Sequence, residues 1–108
     1  MRVLLDECIP QDFRHEFNGL KTVEVQTARF AQLYQCTDAE LLNAIAGRFD
    51  ILVTTDANLR YQQNIVDRPF AVIVLRAASN RLADLLPLAP ELLRTLDKIN
   101  PGEFREIV

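Results

Sequence analysis

Arg2-Val-Leu-Leu-Asp-Glu-Cys-Ile-Pro10 opens the chain with an unbroken apolar run, Val3 to Leu5, that stops on two carboxylates. Three apolar residues in a row, without alternation, suit a strand covered on both faces inside a parallel sheet. In open α/β sheets ligands bind in the crevice beyond the carboxyl ends of the strands, which is where Asp6 and Glu7 then fall. Asp50-Ile-Leu-Val-Thr-Thr-Asp56 has the same form, a short apolar run closing on hydroxyls and a carboxylate. If the two strands are parallel neighbours, Asp6 and Asp56 meet on one rim. Two facing carboxylates repel unless a proton or cation lies between them.

Strands and helices are expected to alternate outward from this pair. Pro10 can open a helix whose buried stripe carries Phe13 and Phe17 and which stops at Asn18-Gly19, with His15 off that stripe on the surface. Thr22 to Gln26 alternates as a half-buried edge strand does. Thr37-Asp-Ala-Glu40 is a capping box, and Leu41, Leu42, Ile45, Ala46 and Phe49 mark one face of the helix it starts, with Gly47 weakening its end. After the strand Ile51 to Thr55, the polar segment Asn58 to Asp67 reads as a loop with a helical turn. Phe70 to Leu75 is the longest apolar run and reads as a central strand. Ser79-Asn80 offers an N-cap for a short helix, Pro87 can start another, and Leu88, Leu92, Leu96 and Ile99 recur at helical spacing before Asn100-Pro-Gly102. Phe104 to Val108 completes the series as a short strand. The expected fold class is α/β: one domain over 1–108, a three-layer α/β/α sandwich with a mainly parallel sheet.

Composition narrows the function. With 108 residues, 49% hydrophobic and 25% charged, the chain is an ordinary globular domain. A net charge of -3 argues against a generally basic nucleic-acid binder, while leaving room for a local basic rim. Ten of the twelve basic residues are arginine, which grips carboxylate or phosphate with paired hydrogen bonds. No apolar stretch approaches bilayer length and no signal-peptide layout opens the chain, so a cytoplasmic protein with no membrane partner is expected. Cys8 and Cys36 lack metal-type spacing and are read as reduced, packed thiols. Three glycines form no phosphate loop, which disfavours a nucleotide-cofactor enzyme.

The candidate site joins Asp6 and Glu7 after the first strand, Asp38 and Glu40 at a helix start, and Asp56 with Asn58 after the third strand. Mg2+ and Mn2+ are hard cations that take such oxygen ligands, with substrate phosphate completing the shell. Quieter roles exist for several of these residues. Asp38 and Glu40 suit the positive end of a helix dipole, and Glu40 already serves the capping box. Glu7 can face solvent or an arginine, and Thr54 and Thr55 suit a strand in any case, although a rim hydroxyl can hold a carboxylate or a water. Asp6 and Asp56 are harder to dismiss, because an isolated charge at the end of a buried strand is costly.

Leu4-Leu-Asp-Glu-Cys-Ile-Pro10, Val53-Thr-Thr-Asp-Ala-Asn-Leu59 and Val74-Leu-Arg-Ala-Ala-Ser-Asn-Arg-Leu82 together resemble, over nearly the whole chain, the compact PIN-like proteins grouped as domain of unknown function DUF5615. PIN domains are α/β/α nucleases that cut RNA with Mg2+ or Mn2+ held by acidic residues, and many are toxins of toxin–antitoxin pairs. The resemblance implies Asp6 and Asp56 as metal ligands, Asp38 as the acidic residue of the intervening helix, RNA as substrate and an antitoxin protein as partner. Two positions depart from the family pattern: Cys8 stands for the usual asparagine, and Asn58 for the second aspartate of an Asp-x-Asp. Asn58 can still offer a carbonyl or carry a water. Arg76, Ser79, Asn80 and Arg81 follow the fourth strand on the same expected rim and are candidates to hold substrate phosphate, with Asn58 and Thr54 beside them; a helix cap with a salt bridge is their alternative.

Three alternatives to an active nuclease remain open. One is a weak or inactive PIN-like interaction module, and another is a partner or homodimer surface built on Leu92, Leu93 and Leu96. A receiver-type phosphoacceptor domain also holds Mg2+ on an acidic pair after its first strand and an aspartate after its third. It needs a lysine after the final strand, whereas Lys98 falls on the expected last helix.

Overall fold

The computed structural model describes residues 1–59 and 63–108. Five strands form one sheet in the order β2-β1-β3-β4-β5: β1 (Arg2–Leu5), β2 (Glu24–Thr27), β3 (Ile51–Thr54), β4 (Ala71–Leu75) and β5 (Phe104–Ile107). Every neighbouring pair is parallel, and Leu5 lies opposite Thr27 on one side and Val53 on the other. The chain leaves β1 toward β2 on one flank and returns on its other flank as β3. The boundary between β1 and β3 is therefore the topological switch point, where the connections leaving the sheet part to opposite sides and open a crevice.

Side-chain alternation along each strand builds two cores. Val3, Leu5, Ile51, Val53, Ile73 and Leu75 face one layer, made by a 3-10 helix (Gln11–Phe17), α2 (Leu82–Leu85) and α3 (Ala89–Leu96). Leu4, Leu52, Val72 and Val74 face the other, which contains α1 (Asp38–Ile45) together with Phe49, Leu59, Ile65 and Phe70. The result is the expected three-layer α/β/α sandwich. Among the described residues no helix is long and apolar enough to cross a membrane.

Several element boundaries differ from the sequence reading. The helix opened by Pro10 is wound as a 3-10 helix, and Pro10 offers no side-chain cap to start an α-helix. At ~2.0 Å rise per residue against ~1.5 Å, the tighter winding lets a short segment cross more of the sheet. Phe13 and Phe17 are still buried, meeting edge to face with ring centroids 6.3 Å apart. Helix α1 stops at Ile45, because Gly47 takes a φ of 82° and turns the chain, leaving Ala46 exposed and Phe49 buried beyond the helix end. Pro87 sits in a 3-10 turn (Leu86–Leu88), and the last helix starts one residue later. Leu92 and Leu96 are buried and Leu93 packs against the same core, so those leucines serve the fold. The expected loop over Asn58 to Asp67 lies partly outside the described residues, at 60–62.

The capping box of α1 is formed in both directions: the Thr37 hydroxyl accepts from the Glu40 N–H at 3.2 Å, and Glu40 Oε1 accepts from the Thr37 N–H at 3.0 Å. The same bonds hold the Glu40 carboxyl below its usual range. Thr37→Ala removes the hydroxyl half of this pair and is expected to lower stability by about 1 kcal/mol, read as a lower urea midpoint at unchanged slope.

Candidate functional site

The carboxylates lie at the switch point because the β1 and β3 ladder continues one residue past its last strand pair. The Asp6 N–H donates to the Val53 carbonyl at 2.9 Å, so Asp6 keeps strand geometry before the chain turns and the Ile9 N–H donates to the Asp6 carbonyl at 3.0 Å. By alternation Asp6 and Thr54 share the face of Leu4 and Leu52, which is the α1 face. Their side chains meet there. Thr54, fully buried, donates its hydroxyl to Asp6 Oδ2 at 2.7 Å.

A chain of hydrogen bonds extends from that contact. Asp6 Oδ1 accepts from the Glu7 N–H at 2.8 Å, and Thr54 Oγ1 accepts from the Asp56 N–H at 3.1 Å. Asp56 Oδ1 in turn accepts from the Asn58 N–H at 3.0 Å. Thr54 thus fixes the Asp6 carboxylate through its proton and the Asp56 backbone through its lone pair. The Cys8 sulfur lies 3.6 Å from Thr54 Oγ1; burial, and then the Asp6 charge, push its thiol above the ordinary value. It is a packed thiol beside the site, not a thiolate.

Asp38 comes from the helix layer that covers this same face, as the first residue of α1, whose amino end lies toward the carboxyl ends of the strands because α1 leads back to the start of β3. Its carboxyl titrates above the ordinary range, through desolvation first and then the charges of Asp56 and Asp6. The helix dipole favours a negative charge at this position. Desolvation and the two neighbouring carboxylates outweigh it. A raised carboxyl pKa means that the folded protein holds its proton more tightly than the unfolded chain does. Ionised Asp38 therefore costs stability at neutral pH, and that cost shrinks as pH falls through the raised value, vanishing only below the ordinary carboxyl range of the unfolded chain. In chelator, Asp38→Asn is expected to be more stable than the parent at pH 7, by about 0.5 kcal/mol for a partly exposed charge. Thermal melts at pH 7 and pH 3 check this, since the difference should narrow at the lower pH.

Other expected site residues are engaged elsewhere. Both oxygens of Glu7 accept from the Gln35 N–H, at 3.2 and 3.1 Å, which turns Glu7 toward the β2–α1 loop. The Arg76 guanidinium donates to Glu106 at 3.2 Å, on the far side of β4 from β3. Ser79 does not cap α2 with its side chain. Its hydroxyl donates to Asp84 and accepts from the Arg81 N–H, and the cap position falls to Arg81. Asn80 and Arg81 are exposed beside this brace. Of the helix-cap and salt-bridge alternative, the salt bridge is formed, between Arg76 and Glu106, and the side-chain cap is not. Cys36 joins Cys8 as a free cysteine.

Among the described residues, no three His, Cys, Asp or Glu side chains are drawn together closely enough to hold a metal ion as they stand. The donor chemistry nevertheless suits a hard divalent cation: Asp6, Asp38 and Asp56 are all oxygen donors, and the raised Asp38 value records a repulsion that a cation would offset. Mg2+ usually takes one or two carboxylates and completes its shell with water, so a closed three-carboxylate cage is not required.

The sequence reading did not single out the β2–α1 loop, where Arg29 lies over the Tyr34 ring with 5.2 Å between guanidinium carbon and ring centroid. The Arg29-Phe30 and Tyr34-Gln35 steps, aromatic residues beside polar ones between two elements, were the available signal. Compared with family models, curated proteins and solved structures, the chain matches none.

Proposed function

We propose that this protein is a PIN-like, divalent-cation-dependent ribonuclease that hydrolyses phosphodiester bonds at the β1–β3 switch point, and that it acts as the toxin of a toxin–antitoxin pair. One observation carries the reading: a buried threonine hydroxyl joins Asp6 to the Asp56 backbone, while Asp38, at the start of α1 on the same face, feels the charge of both. The resemblance of the three quoted motifs to PIN-like proteins supports it.

Asp6 and Asp56 would hold the cation, with Asp38 completing the set. When bound, the ion supplies charge stabilisation on the phosphoryl oxygens and lowers the pKa of water. The chain's own contribution is positional. Thr54 orients the Asp6 carboxylate and anchors the Asp56 backbone, the Asn58 N–H fixes the Asp56 carboxylate, and Asp38 at the start of α1 would add a third oxygen donor.

The test is incubation of a labelled pool of single-stranded and structured RNA with Mg2+, Mn2+ or EDTA. Metal-dependent fragments, absent in EDTA and with Asp56→Asn, support the proposal. Intact RNA under every condition contradicts it and favours an inactive PIN-like module.

A receiver-type phosphoacceptor is the second reading, favoured by the strand order, which receiver domains share. Against it, the two lysines, Lys21 and Lys98, precede β2 and β5 and so lie at the amino end of the sheet, away from Asp56. Incubation with a small phosphodonor and Mg2+ should therefore leave Asp56 unmodified.

A further inference from the structure

We infer that the β2–α1 loop is a stacking platform for single-stranded RNA that leads into the carboxylate rim from the β2 side; the inference deepens the ribonuclease proposal and rests on it. A cleft of about 260 Å3 opens beside Asp6 and Glu7, walled by Gln11, Arg29 and Tyr34. A second hollow of about 320 Å3 adjoins it through the shared Gln11 and Thr27 and reaches Arg14 and Phe30. Together they form a path away from the carboxylates.

The chemistry along that path is aromatic and cationic. Phe30 is 76% exposed and Tyr34 41%, and Arg29 is stacked over the Tyr34 ring. Bases have apolar faces that stack on aromatic rings and guanidinium planes, while their phosphates seek arginine. Arg29 lines the cleft beside Asp6, and Arg14, also paired with Asp12, lines the hollow that adjoins it. Duplex bases already cover each other's faces, so the platform suits unpaired RNA.

The loop displays these side chains from a fixed backbone. Thr27 accepts from Ala31 through its carbonyl and from the Phe30 N–H through its hydroxyl, and the Ala28 carbonyl accepts from Leu33. Gln32 and Gln35 have φ of 60° and 62°, values that non-glycine residues hold only when their surroundings impose them. The Gln35 N–H is the group tied to Glu7, which links the platform to the residue following Asp6.

The experiment is fluorescence anisotropy of a labelled single-stranded RNA and of a matching hairpin duplex, in EDTA so that no cleavage occurs, at fixed low salt. Single strands should bind the parent protein at least tenfold more tightly than the duplex. Phe30→Ala and Tyr34→Ala should each weaken single-strand binding roughly tenfold, with Phe30→Tyr restoring it. Both side chains are exposed, and circular dichroism confirms folding of each variant. Unchanged binding in both alanine variants, or a preference for duplex, overturns the inference. So does a dimer in sedimentation that Phe30→Ala dissolves, which would assign Phe30 to a second copy of the chain. Because binding is read without metal, the two ideas fail separately: stacking-dependent binding without cleavage contradicts only the nuclease proposal, and cleavage with unchanged KM in Phe30→Ala contradicts only the platform.

Discussion

Asp6→Asn is expected to lower metal-dependent RNA cleavage by about 10²–10³-fold, the scale on which one preorganised electrostatic contact to a transition state acts. The substitution removes the charge and one of two accepted hydrogen bonds. An asparagine oxygen can keep the bond from Thr54 or the one from the Glu7 N–H, not both, and because Asp6 is only part-buried water can serve the other, so the rim should stay folded. Steady-state kinetics should show the loss in kcat, with circular dichroism and the melting temperature close to those of the parent. Asp56→Asn should behave alike, because its interaction with the Asn58 N–H is also open to an amide oxygen. The two losses should not add, since each variant already breaks one shared cation site.

Thr54→Val should cost both stability and activity. Valine matches threonine in shape, so the fully buried position keeps its packing, but Asp6 Oδ2 loses its donor and the Asp56 N–H its acceptor. Leaving such groups without partners costs about 1–3 kcal/mol. Asp6 and Asp56 are only part-buried, so water can take over some of these bonds and the lower half of that range is expected. Activity should fall about 10–100-fold, as when an outer partner that orients metal ligands is removed. Thr54→Ser separates the two effects: it keeps the hydroxyl and should recover most of the activity, while losing a buried methyl group worth about 1 kcal/mol. Stability loss in Thr54→Val without activity loss would reduce Thr54 to a sheet residue.

Much of this arrangement is legible in the sequence because burial and periodicity constrain it. Val3 to Leu5, Ile51 to Val53 and Ala71 to Leu75 are apolar without alternation because each strand packs on both faces, and the capping box of Thr37 and Glu40 is a local motif that needs no tertiary context. The adjacency of β1 and β3, which brings Asp6 and Thr54 into contact, was a condition of the sequence reading, and the sheet order meets it. What the sequence left open depended on choices between partners of similar energy. Arg76 could bind phosphate or a carboxylate, and Glu106 on β5 takes it. Ser79 could cap a helix from its own position or brace Asp84, and it does the latter. Glu7 follows Asp6 directly, yet the turn that starts there sends its carboxylate to Gln35. The winding of Gln11–Phe17 was hidden because two apolar residues four apart are the α-helical signal; in the 3-10 helix they diverge by about 120°, yet both large rings are still buried.

The central claim, that Asp6, Asp38 and Asp56 form a divalent-cation site, is tested most directly by titrating the protein with Mn2+ and following free ion by electron paramagnetic resonance. The parent should bind Mn2+ saturably and release it to excess Mg2+, and Asp6→Asn and Asp56→Asn should each weaken binding at least tenfold. No saturable binding by the parent, or equal binding by the parent and both variants, would contradict the claim.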